Sequence, residues 1–250
     1  MLDALKSKIK DWREEDRYAY VTEPIHRARS AYRQVMRSLF FPRLIDEMKR
    51  LGPIDDPEVL WEKVSGGFYG IVSPIQNHEE ILALLRLLKA VRPSRVMEIG
   101  TANGGTLLMF SRVMAPDGRL ISIDLPGGPG GGGYPEWKVP LYRAFAMPGQ
   151  DLELIRGDTH DPDALRRTEA WLAGDRLDFL FIDGDHSYEG VKQDFETFGP
   201  LVRPGGIIAF HDIEFCEGVR QFWQELRPTR PTEEFLGSRG QVYGIGIVRA

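Results

Sequence analysis

The chain has little of what several classes of protein require. Among its 250 residues there is one cysteine, Cys216, which excludes an intrachain disulfide and a metal site built from several thiolates. No apolar run approaches the roughly 20 residues that a membrane-spanning helix needs, and the first residues lack the apolar core of a signal peptide. We therefore expect a cytoplasmic protein without a membrane partner.

An excess of charge of one sign is also missing. The formal net charge is −5, and 28% of the residues are charged. The first fifty residues are mildly basic, a pattern more typical of a solvated helix face than of an anion-binding surface. We therefore expect no nucleic-acid partner. With 42% hydrophobic residues, the chain can build the core of one large or two small globular domains.

The pattern changes near residue 72, and we expect two domains. Residues 1–72 are predicted to be an N-terminal helical extension or cap, and residues 73–250 an α/β domain. Two apolar stripes at helical spacing support the extension, namely Leu2, Leu5, Ile9 and Trp12, and then Ala31, Val35 and Leu39. We expect these helices to shape a substrate pocket and to offer a surface for a possible homo-oligomer.

Two helix starts can be predicted from capping patterns. Asp56 followed by Pro57 is typical of an N-cap with proline at the first helical position. Ser73, Pro74 and Gln76 resemble a capping box that opens the next helix.

Short apolar runs alternate with amphipathic helices after that point. The predicted strands are "RVMEIG", "RLISID", "LELIRG", "LDFLFID" and "GGIIAFHD". Apolar strands joined by helices predict a parallel sheet covered on both faces, with its ligand site at the carboxyl ends of the strands. "QVYGIGIVRA" predicts a last, antiparallel strand after a short "EEFLG" partner. The glycine-rich residues 125–140 are expected to form no regular element and to act as a flap.

Polar residues follow the first two predicted strands. Glu98 precedes the turn "GTANGG", whose Gly100, Thr101 and Gly104 lead into a helix start suited to a carboxylate or phosphate. This turn lacks the dinucleotide pattern G-x-G-x-x-G. Asp124 ends the second strand, where an acid can accept hydrogen bonds from both ribose hydroxyls or can cap the following loop.

The later strand ends carry further polar residues. Asp158 and Thr159 could bind the amine and a ring nitrogen of a purine. "FIDGDHSYEGVKQDF" places Asp183 and His186 after the fourth strand, and a neutral imidazole suits removal of a hydroxyl proton. Three alternatives stay open: His186 caps a turn, His211 is a core histidine, or Asp183 contacts only a cofactor amine.

The order of these motifs over residues 73–212 resembles the class I S-adenosylmethionine-dependent methyltransferases. The resemblance implies a Rossmann-like, doubly wound sheet of seven strands in the order 3-2-1-4-5-7-6, with strand seven antiparallel. It also implies S-adenosylmethionine as cofactor, with its methionine part, ribose and adenine bound along the strand ends. The implied contacts are Glu98, Gly100, Thr101, Gly104, Asp124, Asp158, Thr159 and Asp183.

"LDFLFIDGDHSYEGVKQDF" with "PGGIIAFHD" is similar to the metal-dependent O-methyltransferase branch, which includes antibiotic sugar O-methyltransferases and cephalosporin-hydroxylase-like proteins. The resemblance implies a divalent cation on Asp183, His211 and Asp212. It also implies catalysis by Asp183 with His186 as the base. Catechol-type members have Asp-Asn at the fifth strand, and the histidine found here favours Mn²⁺, Fe²⁺ or Zn²⁺ over Mg²⁺. Asp185 is an alternative ligand.

The expected activity is O-methylation of a small hydroxylated molecule such as a sugar, a phenol or a natural product. Two alternatives remain. One is a cofactor-binding module of the same fold without turnover. The other is an NAD-dependent oxidoreductase, which the missing G-x-G-x-x-G and Tyr-x-x-x-Lys patterns disfavour.

Overall fold

The computed structural model describes residues 39–127 and 133–250. The first predicted stripe, Leu2 to Trp12, lies outside the described residues, as do Ala31 and Val35 of the second. Leu39 lies at the start of the described part and is exposed.

The helices and strands are named in chain order. They are α1 over 39–50, α2 Pro57–Ser65, α3 His78–Val91, β1 Arg95–Ile99, α4 Gly105–Val113, β2 Arg119–Asp124, α5 Val139–Arg143, β3 Asp151–Arg156, α6 Pro162–Leu172, β4 Leu177–Ile182, α7 Tyr188–Phe198, β5 Val202–His211, α8 Glu217–Leu226, β6 Thr232–Phe235 and β7 Ile245–Arg249.

The seven strands form one sheet in the order β3-β2-β1-β4-β5-β7-β6. Strands β1 to β5 pair in parallel, and β7 is antiparallel to both β5 and β6. The predicted fold class is confirmed. Ile99 lies opposite Ile123 and Ile182, and Ile182 lies opposite Phe210. The residues that follow these four positions therefore meet at one edge of the sheet.

Apolar helix faces cover both sides of the sheet. On one side, Phe179 and Phe181 of β4 pack in the same core as Leu44 of α1 and Leu60 of α2. On the other side, Phe198 of α7 and residues of α8 pack on inward-facing residues of β1, β2, β4 and β5. Burial of this kind stabilises by about 25 cal/mol per Å² of apolar surface. The described part of the N-terminal extension is thus joined to the sheet through a shared core.

The start of α2 agrees with the sequence prediction, and the start of α3 does not. Asp56 caps α2 by accepting from the backbone N–H of Glu58, and Pro57 is the first helical residue. Helix α3 begins at His78, later than the predicted capping box, and its cap is Asn77.

The reason lies in a contact distant in sequence. Ser73 forms a parallel bridge with Gly104. At the neighbouring Gly105, a Cβ would lie only 2.3 Å from the backbone nitrogen of Pro74. Segment 73–76 is therefore held extended against the glycine turn, and the helix starts after it.

The prediction that residues 125–140 form no regular element is wrong at their far end. Glu136–Lys138 forms a 3₁₀ turn that continues into α5. Tyr134 is buried, with its ring 4.8 Å from that of Tyr142. Pro140 does not interrupt α5, because the first turn of a helix tolerates proline.

Among the residues that the structure describes, no helix combines the length and apolarity needed to cross a membrane.

Candidate functional site

The turn between β1 and α4 is built on two glycines that no other residue could replace without movement. Gly100 has φ +90°, and a Cβ there would lie 1.8 Å from the carbonyl oxygen of Asp183. Gly104 has φ +74°, and its Cβ would lie 2.7 Å from the ring of Tyr142. Positive φ is strained for residues with a side chain. Gly100 thus lets the turn after β1 touch the turn after β4, and Gly104 leaves room for the ring of Tyr142.

Glu98 is a residue of β1 just before this turn and is fully buried. Its Oε2 accepts a hydrogen bond from the Ser122 hydroxyl at 3.0 Å, whereas its Oε1 has no hydrogen-bond partner. Burial raises the pKa of Glu98 to about 8. Because buried polar atoms are almost always paired, the unpartnered oxygen fits a cationic donor such as the amine of S-adenosylmethionine.

Asp124 braces the glycine turn. Its Oδ2 accepts from the backbone N–H of Thr101 at 3.0 Å and of Ala102 at 2.7 Å. Burial raises the pKa of Asp124 to about 6, and these N–H groups partly oppose the rise. The Thr101 hydroxyl contacts the hydroxyl of Ser122. The ribose contact of Asp124 stays a prediction.

The residues predicted to flank adenine follow β3. The Asp158 side chain is half exposed, and its Oδ1 accepts from the backbone N–H of His160 at 2.9 Å, so it closes its own turn. Thr159 is partly buried. The adenine contact of these two residues stays a prediction.

His160 and Asp194 are two polar residues of this region that the sequence argument missed. Nε2 of His160 lies 3.5 Å from Oδ1 of Asp194. Asp194 is fully buried on α7, and burial raises its pKa to about 6. The position of His160 three residues after a predicted strand could have signalled it, whereas Asp194 lies within a helix.

Four predicted side chains meet beyond β4 and β5. Nδ1 of His211 lies 3.1 Å from Oδ1 of Asp183 and 3.4 Å from Oδ1 of Asp212. Nε2 of His186 lies 3.4 Å from Oδ1 of Asp183 and 3.2 Å from Oδ2 of Asp212. His186 is the exposed member, and His211 and Asp212 are buried. We call these four residues the strand-end cluster.

Within the strand-end cluster, the carboxylates and imidazoles shift one another's pKa values. Burial alone would lower the pKa of His211, but the nearby carboxylates of Asp183 and Asp212 outweigh it and raise that pKa to about 10. Burial would raise the pKa of Asp183, but His211 and His186 hold it below its usual range. A hydrogen bond with Asp183 raises the pKa of His186. The carboxylates of Asp183 and Asp212 therefore favour positive charge beside them, which here is a proton on imidazole.

Further residues position the cluster, and the sequence argument missed two of them. Nε2 of Gln76 donates to Oδ2 of Asp183 at 3.2 Å, and the Tyr243 ring lies 5.4 Å from that of His211. Asp212 has φ +64°, a left-handed conformation that Asp tolerates better than most residues. The contacts of Gln76 and Tyr243 join residues far apart in the chain, so no local pattern signals them.

Asp185, the alternative ligand, turns away from the cluster. Its Oδ1 accepts from the backbone N–H of Ser187 at 2.8 Å, and the carboxylate covers Gly190. The structure instead places Cys216, which the sequence argument did not consider as a ligand, beside His186 and Asp212.

The cluster can hold a divalent cation. One ligand atom from each of Asp183, His211 and Asp212 lies within 4.8 Å of the others. Oδ1 of Asp212 and Nε2 of His211 are buried without hydrogen-bond partners. Mixed carboxylate and imidazole donors suit Mn²⁺, Fe²⁺ or Zn²⁺. The residues present therefore fit the predicted metal.

Comparison with known proteins finds a match to one family model. Residues 97–213 match the family model described as a methyltransferase domain. An uncharacterized protein, y4gI of Sinorhizobium fredii, is 31% identical over an alignment of 164 residues that covers 62% of this chain. The chain spans only 17% of that relative and about half of other curated relatives that it matches.

Two solved structures share the fold at low identity. The O-methyltransferase from Bacillus cereus, solved in complex with SAH, is 19% identical with a TM-score of 0.53, covering 80% of this chain and 93% of that one. MycE methyltransferase, solved with Mg, SAH and mycinamycin VI, is 18% identical with a TM-score of 0.52, covering 78% of this chain and 54% of that one. Residues 97–213 thus resemble a methyltransferase domain, within a fold that the chain shares with solved O-methyltransferase structures.

Proposed function

We propose that the protein transfers the methyl group of S-adenosylmethionine to a hydroxyl group of a small molecule, with help from a divalent cation. One observation carries the proposal. Glu98, whose Oε1 is unpartnered, lies next to the end of β1, and Asp183 of the strand-end cluster directly follows the neighbouring parallel strand β4. Gly100 brings the turns after these two strands into contact. A donor site and an acceptor site thus adjoin at one edge of the sheet.

On the donor side, Glu98 accepts from the cofactor amine and the turn at Gly100 and Gly104 admits the methionine part. S-adenosylmethionine supplies a methyl group on a positively charged sulfur, ready for attack by an oxygen nucleophile. The role of the protein is then to align donor and acceptor at contact distance, which is a large part of the rate gain in such transfers. Asp124 fixes the turn through the N–H groups of Thr101 and Ala102.

On the acceptor side, Asp183, His211 and Asp212 would hold the cation. A divalent cation at this place lowers the pKa of an acceptor hydroxyl. His186 is exposed enough to meet an acceptor. Its Nε2 faces Asp183 and Asp212, so the two carboxylates that would hold the cation also orient the His186 imidazole. His186 takes the hydroxyl proton when its imidazole is neutral.

The neighbours support the cofactor and the metal by analogy only, because identities near 20% carry the fold and no more. MycE was solved with Mg and SAH. Its donor residues need not be those of this chain, and the His211 donor found here favours a softer cation than Mg²⁺. We further propose that the extension, residues 1–72, covers the acceptor pocket.

The test has a binding step and a turnover step. Isothermal titration with S-adenosylhomocysteine comes first, and a chain that fails to bind it contradicts the proposal. The second step offers S-adenosylmethionine with a deuterated methyl group to a panel of sugars, phenols and polyketides, with mass spectrometry of the products. Chelator should abolish product formation, and added Mn²⁺ or Mg²⁺ should restore it. Binding without turnover on any acceptor would favour the non-catalytic module.

A matched pair of variants tests the assignment of the cluster. Asp183→Asn removes a proposed ligand, and we expect at least about a hundredfold loss of turnover, in line with the effect of losing a key electrostatic group. Asp185→Asn changes a neighbouring acid that only caps a turn, and we expect turnover close to that of the parent. Equal losses in the two variants would contradict the assignment.

A further inference from the structure

Cys216 lies at the N-cap of α8 but does not cap the helix. Its side chain makes no capping hydrogen bond, and its backbone N–H donates to the carbonyl oxygen of Asp212 at 3.1 Å. This tight turn brings the sulfur back to the strand-end cluster. One ligand atom from each of Cys216, His186 and Asp212 lies within 4.8 Å of the others.

The two carboxylate oxygens of Asp212 face different partners. Oδ1 lies 3.4 Å from Nδ1 of His211, and Oδ2 lies 3.2 Å from Nε2 of His186. The Asp212 side chain is only 6% exposed, and its Oδ1 has no hydrogen-bond partner. A buried carboxylate arranged in this way can offer one oxygen to each of two neighbouring cations.

We propose that His186, Asp212 and Cys216 form a second cation seat, which takes a thiophilic divalent cation of the Zn²⁺ type and shares Asp212 with the seat of Asp183 and His211. Sulfur and imidazole donors select Zn²⁺ or Co²⁺ over Mg²⁺, which prefers oxygen. On binding, the S–H bond of Cys216 breaks, a sulfur–metal bond forms, and the proton passes to the buffer.

This seat has a consequence for the proposed function. Nε2 of His186 cannot coordinate a cation and accept a hydroxyl proton at the same time. Occupation of the second seat therefore removes the base and inhibits methyl transfer. The existence of the seat can be tested without cofactor or acceptor, so its failure is distinguishable from failure of the proposed activity.

The test uses the full chain, freed of metal by chelator and kept reduced. Titration with Co²⁺ should produce a near-ultraviolet charge-transfer band from the cysteine sulfur, with two cations bound per chain. Cys216→Ser should lose the band, bind one cation fewer, and bind Zn²⁺ at least about tenfold more weakly in competition with a coloured chelator. Glu217→Gln, next to it in the chain, should behave as the parent. Circular dichroism checks that each variant is folded.

Three results would overturn the second seat. The first is a parent protein without the charge-transfer band. The second is a Cys216→Ser variant with unchanged Zn²⁺ affinity and stoichiometry. The third is a band with only one cation bound, since the cysteine would then belong to a single shared site.

Discussion

Glu80 connects α3 by hydrogen bonds to the segment that leads into β7. Its substitution tests how much these hydrogen bonds stabilise the protein. The side chain is 1% exposed. Its Oε1 accepts from the backbone N–H of Gly237 and its Oε2 from that of Gly244, both at 2.9 Å. Gly244 follows Tyr243, whose ring lies 5.4 Å from that of His211. The Glu80 carboxylate therefore stabilises the fold and also holds the segment that lies beside the strand-end cluster.

Glu80→Gln keeps the shape of the side chain but replaces one acceptor oxygen with an N–H₂ group that faces another donor. A hydrogen bond to a charged group contributes about 1.5–3 kcal/mol. We expect the free energy of unfolding to fall by about that amount in Glu80→Gln. Glu80→Ala loses both hydrogen bonds and should lose about 3–6 kcal/mol.

Urea unfolding followed by tryptophan fluorescence and circular dichroism measures these losses. Glu79→Gln is the matched control, because Glu79 contacts Ser238 at the exposed end of the same segment. Its loss should be smaller than that of Glu80→Gln, since water can replace the partner. A change in Glu80→Gln within about 0.5 kcal/mol, the usual range for surface substitutions, would refute the reasoning.

Three further predictions concern single residues. Gly100→Ala forces a Cβ to 1.8 Å from the carbonyl oxygen of Asp183, so we expect the variant to fold or to bind S-adenosylhomocysteine less well than the parent. Folding and binding like the parent in isothermal titration would contradict that contact. Glu98 has a pKa of about 8 and a bound ammonium favours its ionised form, so affinity for S-adenosylhomocysteine should rise by up to about tenfold per pH unit towards pH 8, with proton release; a flat titration profile would disagree. The folded-state pKa of Asp194, about 6, lies above its ordinary value of 3.8, so its ionisation costs stability as the pH rises between these values, by up to about 3 kcal/mol. Asp194→Asn should therefore stabilise the protein against urea at neutral pH and not below about pH 4; equal stability of the two proteins at neutral pH would contradict this.

The sheet could be predicted because its strands are coded locally. The five runs predicted for the parallel strands are six to eight residues long and each ends at a glycine or an acid, and the strand order follows from the family resemblance. The meeting of Asp183 with His211 and Asp212 could be predicted for the same reason, since the ends of adjacent parallel strands share an edge. The sequence could therefore place functional groups at the edge but not orient them.

The contacts that orient the site depend on chain segments far apart in sequence. The local sequence pattern predicts that Gln76 belongs to a capping box, yet its amide reaches Asp183, because Ser73 pairs with Gly104 and keeps the segment extended. Cys216 lies four residues after Asp212, and only the turn into α8 shows that its sulfur returns to the cluster. Neither contact can be predicted from the local secondary-structure propensities of the residues involved.

Glu98 and Asp124 show what the structure adds to two residues that the sequence treats alike. Both are acids at the end of a strand, and burial raises the pKa of both. Oδ2 of Asp124 is already occupied by the N–H groups of Thr101 and Ala102, whereas Oε1 of Glu98 has no partner. Loss of the Asp124 carboxylate should therefore disturb the turn and cofactor binding together. Loss of the Glu98 carboxylate should weaken cofactor binding while the turn persists, because only there is the acid free for a ligand.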